Sequence, residues 1–183
     1  MALASVMDLT SKLLVKLTGI ATKTTYSFEA PSMNVEHNFS KALADGDALD
    51  AANQIYQDEA TMLASAEASY DLSGALVDIF GTSVTFTKVK GIIFVNTSTL
   101  ASTLRVGGGT GMDGTNAFDT WITSNTPGFA GSEGVFVAPG GCFVLFNPTL
   151  AGYAVTGGSV DKLVIKETSA LAASFELTIV GVM

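Results

Sequence analysis

Ala60, Met62, Ala64, Ala66, Ala68, Tyr70 and Leu72 occupy every second position, separated by Thr61, Ser65, Glu67, Ser69 and Asp71, with Leu63 the one apolar exception. Side chains of an extended chain alternate between two faces, whereas a helix repeats every 3.6 residues. This stretch therefore predicts a half-buried strand and excludes a helix. Met33, Val35, His37 and Phe39 alternate in the same way with Asn34, Glu36 and Asn38, as do Tyr26 and Phe28 more briefly. Each reads as a strand with one wet face.

Residues 83–96, 101–106, 135–138, 142–147, 153–156, 160–167 and 172–182 are rich in β-branched and aromatic side chains and are divided by Gly, Pro, Asn and Asp. Strands punctuated in this manner are the pattern of a sandwich or barrel. Within 84–95 the apolar phase shifts after Phe86, which predicts a bulge near Lys88 or burial on both faces beyond Gly91, in a central strand. Two segments, 3–17 and 47–56, also carry helical spacing. In the first, Leu13, Val15 and Leu17 alternate with Lys12, Lys16 and Thr18, so an extended arm is expected from Lys12 onward. Residues 75–80, preceded by Asp71, Ser73 and Gly74 and followed by Gly81, predict one short helical turn.

No repeat or linker divides the 183 residues, a length that suits one core. The expected organisation is an N-terminal arm, 1–18, and a single all-β sandwich domain, 19–183. Only 14% of residues are charged, against roughly 25% in an average soluble protein. A surface so poor in charge suits a chain that lives against other proteins. The net charge of -8 repels phosphate backbones, which argues against direct nucleic-acid binding. Ten carboxylates between Glu29 and Asp78 face one base, Lys41, and predict an acidic face or a basic partner. No apolar run approaches the ~18 residues of a membrane helix, and the first residues lack a cationic leader, so cytoplasmic synthesis without that export route is expected.

The chemistry-bearing residues are few. Gly109, Gly111 and Gly114 fit the dinucleotide-binding spacing, but Asp113 puts negative charge where the pyrophosphate would sit and 116–122 is too short for the required helix; a connecting loop is the better reading. His37 falls on the apolar phase of its strand, with no nucleophile elbow anywhere in the chain. Cys142 reads as a small buried hydrophobe. One His and one Cys cannot build a Cys/His zinc site within a chain, and Asp45, Asp47 and Asp50 lack calcium-loop spacing, so no cofactor or metal is expected and no catalytic residue is assigned. A carboxylate-pair hydrolase assembled from distant strands stays open. Candidate partner contacts are Leu3, Val6 and Leu13 on the arm, and Phe118, Trp121 and Phe129 in the long 107–134 connection, where aromatic side chains suit a neighbouring subunit or a sugar, or else a small core that ties the loop to its own sheet.

Two segments, Asp71-Leu-Ser-Gly-Ala-Leu-Val-Asp-Ile-Phe-Gly-Thr-Ser-Val-Thr-Phe-Thr-Lys-Val-Lys90 and Val137-Ala-Pro-Gly-Gly-Cys-Phe-Val-Leu-Phe-Asn-Pro148 with the following Gly152-Tyr-Ala-Val-Thr156, resemble the small β-rich virion proteins of tailed bacteriophages. With the strands between and after them they cover about 71–182. The resemblance implies a jelly-roll-like antiparallel sandwich, a non-enzymatic structural role, and a place in the virion. A decoration or cement protein on the capsid exterior is expected, bound to the major capsid protein or other virion proteins, as a homo-oligomer with trimers favoured. No functional residue is carried over by the resemblance. Two alternatives remain: a tail, baseplate or head-fibre component with a carbohydrate-binding loop, and a jelly-roll hydrolase.

Overall fold

The computed structural model describes residues 9, 11–22, 32–74, 76–107, 116–118, 121 and 134–183. In chain order the strands are β1 (Ser11–Thr22), β2 (Ser32–Asp45), β3 (Ala51–Ala52), β4 (Gln54–Met62), β5 (Glu67–Asp71), β6 (Leu76–Val77), β7 (Ser83–Val84), β8 (Lys88–Asn96), β9 (Leu104–Gly107), β10 (Val135–Val137), β11 (Cys142–Phe146), β12 (Tyr153–Ala154), β13 (Lys162–Glu167) and β14 (Ala173–Val182). The fold is all-β, with no helix among the described residues.

Two antiparallel sheets form a sandwich, β11-β8-β14-β4 with β12 added beside β8, and β10-β9-β13-β5. Counting only these eight main strands along the chain, the first, eighth, third and sixth make one sheet and the second, seventh, fourth and fifth the other. Alternate residues of β14, Ala173, Phe175, Leu177 and Ile179, turn inward, as period two requires. They meet Leu104, Val106, Leu163 and Ile165 from the opposing sheet in one core. Tyr70 on β5 reaches across to Phe175, its ring centroid 6.4 Å away and edge-on, and to Tyr56 at 6.0 Å. Phe94 lies 5.4 Å from Phe175 on the same sheet.

Of the strand expected over 84–95, only the part from Lys88 onward takes the central position, as β8, which pairs with β14 on one side and β11 and β12 on the other, while Val84 belongs to β7 in a separate hairpin. Val89, Lys90, Gly91 and Ile92 are buried in succession, so both faces of the strand are covered there. The β14 register slips between Val180 and Gly181, where Val180 faces Gly91 and Gly181 faces Val89, which leaves Lys90 as the extra residue of a bulge. Gly181 is obligatory at this point, because a Cβ would overlap the Lys88 carbonyl and the Phe86 ring. The Lys90 side chain is fully buried and its Nζ donates to the Thr149 carbonyl. Burial first, then the Lys88 charge, push its protonation below the ordinary lysine value, and Asp50 acts the other way.

Four local expectations are corrected. The alternation over 60–72 is two strands: the chain turns at Leu63, 80% exposed, and Ser65 has a positive φ of 60°, so the break falls on the residue that interrupts the pattern. In place of the helical turn expected over 75–80, the described residues from Leu76 onward form a hairpin, β6 pairing with β7 and Leu76 opposite Val84. The possible helix at 47–56 is a turn followed by β3 and the start of β4. The arm boundary at 18 falls inside β1, which pairs with β2 without interruption from Ser11↔Leu43 to Thr22↔Ser32.

Candidate contact surface

The β1–β2 hairpin is a two-stranded ribbon of twelve residue pairs, roughly 40 Å long at the rise of an extended chain. Its root is tied to the sandwich. Ala44 and Asp45 pair with Ala51 and Ala52 in parallel, Leu43 is buried, and the Leu9 amide donates to Asp45 Oδ1 at 3.1 Å. Lys41 Nζ reaches Asp50 Oδ2 at 2.6 Å, and Phe39 meets the Phe146 ring edge-on at 6.0 Å. Among the described residues, none from the ribbon belongs to the core cluster, which begins at Tyr56. Two strands alone are marginally stable in water, and this pair leaves Leu14 60% and Phe39 42% exposed. The described ribbon residues thus lie outside the core and carry exposed apolar side chains.

Between the ribbon root and the outer face of β8 and β14 lies an apolar cleft of about 160 Å³, lined by Leu13, Ile55, Gly91, Ile93, Phe146 and Val180. Leu13 is thus a wall of a cleft. Leu3, Val6 and Phe129 lie outside the described residues. Phe118 is corrected as a contact residue: it is fully buried within the core. Its neighbour Ala117 bridges Lys162, and Asn116 O accepts the amides of Asp161 and Lys162, each at 2.9 Å, which stitches this part of the connection to β13. Trp121 is half-buried, donates its indole N–H to the Phe118 carbonyl at 3.0 Å, and lays its ring 5.2 Å from Phe143. Phe118 and Trp121 therefore form the small core that ties the connection to its own sheet.

Other singled-out residues also find structural employment or different surroundings. Cys142 is exposed at the start of β11, not buried. His37 stands opposite Leu17 in the ribbon register. Gly109, Gly111, Asp113 and Gly114 lie outside the described residues. Among the described residues no group of three or more His, Cys, Asp or Glu is placed to hold a metal ion. The acidic stretch divides between places. Asp58, Glu59, Glu67 and Asp71 run along one side of the sandwich on its edge strands β4 and β5, where charge discourages pairing with a further chain. Asp45 ends β2, Asp47 and Asp50 belong to the turn between β2 and β3, and Asp78 to the β6–β7 turn.

Two titratable groups displaced from their ordinary values, Tyr70 and Glu167, hold sheets and loops together. Burial, then the hydrogen bond at 2.7 Å to Asp58 and its charge, push the Tyr70 hydroxyl far above its ordinary value. Glu167 is 1% exposed. Burial pushes its carboxyl up, but the amides of Ser65, Ser169, Leu171 and Ala170 outweigh this and hold it below the ordinary carboxylate value. Ser65 N–H donates at 2.8 Å, Ser169 at 2.5 Å and Leu171 at 3.3 Å, so one carboxylate clamps the β4–β5 turn to the β13–β14 loop. A lowered folded-state value means that this contribution is complete above the unfolded carboxylate range and is lost as pH falls through the folded value. Melting from about pH 7 to about pH 3 should therefore show an acid-side loss that shrinks in Glu167→Gln. That variant should be less stable than wild type by roughly 2 kcal/mol at neutral pH. Equal acid sensitivity in both proteins would assign the loss to other carboxylates.

The contact-prone side chains that the sequence pattern missed are Ile79 and Phe80, each 77% exposed at the tip of the β6–β7 turn, and Leu49 and Leu150, 64% and 59% exposed. Asp78 followed three residues later by Gly81 is a β-turn signature that marks the first pair. No family model matches the chain, and no curated protein or solved structure is detectably similar to it.

Proposed function

We propose that this protein is a non-enzymatic structural subunit of a tailed-phage virion, a decoration or cement protein that binds the exterior of the head and stabilises it. The observation that carries the reading is the pairing of a low-charge chain with large apolar side chains held exposed on ordered elements: Leu14 and Phe39 on the ribbon, Ile79 and Phe80 on a tight turn. Surfaces of that kind mark protein contact sites. The eight-strand order described above, with antiparallel sheets of four main strands each, supports a jelly-roll-like sandwich, an architecture shared by viral capsid proteins and lectins.

In this reading the sandwich is a rigid spacer and the ribbon and turns are its contacts with the major capsid protein and with like subunits, trimers being the favoured assembly. Each contact adds interface free energy that must be lost before the shell opens. The net charge of -8 suits an exterior position better than contact with packaged DNA. Tyr70 and Glu167 are occupied by structural hydrogen bonds, which leaves neither poised for acid-base work. The direct test mixes purified full-length protein with expanded heads that lack it and follows cosedimentation and particle melting. Saturable binding that raises the melting temperature of the particle is expected. Failure to bind heads, with signal on a glycan array or polysaccharide turnover instead, would overturn the proposal.

A further inference from the structure

Two unpartnered features of this molecule complement one another. The first is the β6–β7 turn, which is stiff. Asp78 Oδ1 accepts the amides of Phe80 at 2.8 Å and Thr82 at 2.7 Å, and the Asp78 amide donates to Thr82 O at 2.9 Å. The Gly81 amide returns to Asp78 O at 3.0 Å, with Gly81 at a φ of 80° that a side chain rarely adopts. Ile79 and Phe80 are thus presented by a turn that has little conformational freedom left to lose on docking.

The second feature is the cleft of about 160 Å³ beneath β1. An apolar cavity of about 150 Å³ with Leu, Ile and Phe walls is large enough to hold a benzene ring, so this cleft has the size and the lining to take a phenyl side chain. Gly91 lines it with the Phe146 ring packed close beside it, and Ile93 is 38% exposed. Lys12 stands on the lip, exposed and without an ion-pair partner among the described residues. The knob carries the opposite charge, Asp78, beside its two apolar side chains. Shape, polarity and sign of charge therefore agree between the two.

We infer that a second copy of this chain seats Phe80 in the cleft beneath β1, with Ile79 against its rim and Asp78 set toward Lys12. The inference rests on the reading of the chain as a self-associating structural subunit and names the contact. Knob and cleft are different patches, so the contact is heterologous. Each copy gives one knob and receives another, and closure demands a ring or a reciprocal pair.

Sedimentation of the purified full-length protein over a concentration series tests this without any particle. Wild type should self-associate, and Phe80→Asp should weaken association by at least about 30-fold, as loss of a buried aromatic anchor does. Ile93→Asp should do the same from the other side; if it lowers melting, Lys12→Glu on the exposed lip replaces it as the cleft variant, with a smaller loss. Phe80→Asp keeps an intact cleft and Ile93→Asp an intact knob. Their mixture should therefore form a one-to-one heterodimer that grows no further. A wild-type protein that stays monomeric, a Phe80→Asp variant that assembles like wild type, or a mixture that yields no complex would each overturn the contact. Failure to bind heads while self-association and its loss in Phe80→Asp persist would count against the virion role alone.

Discussion

Replacing Asn96 by Ala is expected to lower the melting temperature by about 10 °C, a loss of roughly 3 to 4 kcal/mol in a domain of this size. Asn96 is fully buried at the end of the central strand. Its Nδ2 donates to Ser102 O at 2.8 Å and Val137 O at 2.9 Å, and its Oδ1 accepts the Ser98 amide at 3.1 Å. One side chain thereby satisfies backbone groups of the loop after β8 and of β10, which belongs to the other sheet. Alanine leaves these groups without that partner, and each orphaned polar group costs on the order of 1 to 3 kcal/mol. Thr97→Ala, one residue away on an exposed site, is the control and should stay within about 0.5 kcal/mol of wild type. A comparable loss in both would mean that the strand end, not the hydrogen-bond network, is the sensitive feature.

The second large effect is on binding and not on folding. Deleting 2–12 removes the chain through the first two residues of β1, Ser11 and Lys12, and deleting 2–22 removes β1 whole. In either case the core cluster from Tyr56 to Ile179 keeps every member, so the sandwich should melt within a few degrees of wild type. Binding to heads should fall tenfold or more, and further in the larger deletion, which alone strips β2 of its partner strand and removes the Leu13 wall of the cleft. Undiminished binding by the larger deletion would remove the ribbon from the docking account. Global unfolding would mean that Leu43 and the β2–β3 pairing are part of the fold's foundation.

Most strands were legible because their burial alternates with period two, and β14 is the clearest case: residues 172–182 predict it and Ala173–Val182 form it. The central, bulged character of β8 was legible too, from an apolar phase shift that reflects a real change in which face is buried. What escaped was set by partners distant in sequence. Nothing local tells that Leu13 lies opposite Lys41, so β1 reads as an arm until its partner strand is placed. Residues 75–80 were misread because a short apolar run does not distinguish helix from strand, and the turn chemistry of Asp78 and Gly81 was the stronger cue. Phe118 and Trp121 looked like contact residues because aromatic side chains in a Gly-rich connection suit either a partner or the protein's own sheet. The bridge from Ala117 to Lys162 decides for the sheet.

The central claim, that apolar groups on the ribbon clamp this protein to a shell, is tested most directly by the fraction bound to purified heads across a salt series. Burial of apolar area is not screened, whereas attraction between exposed charges fades as the screening length falls from about 30 Å at 0.01 M to about 8 Å at 0.15 M. Occupancy that holds steady from low to high salt, with particle melting raised throughout, is the predicted result. A steep loss of occupancy between low and moderate salt would contradict it and move the docking surface to the acidic side formed by β4 and β5.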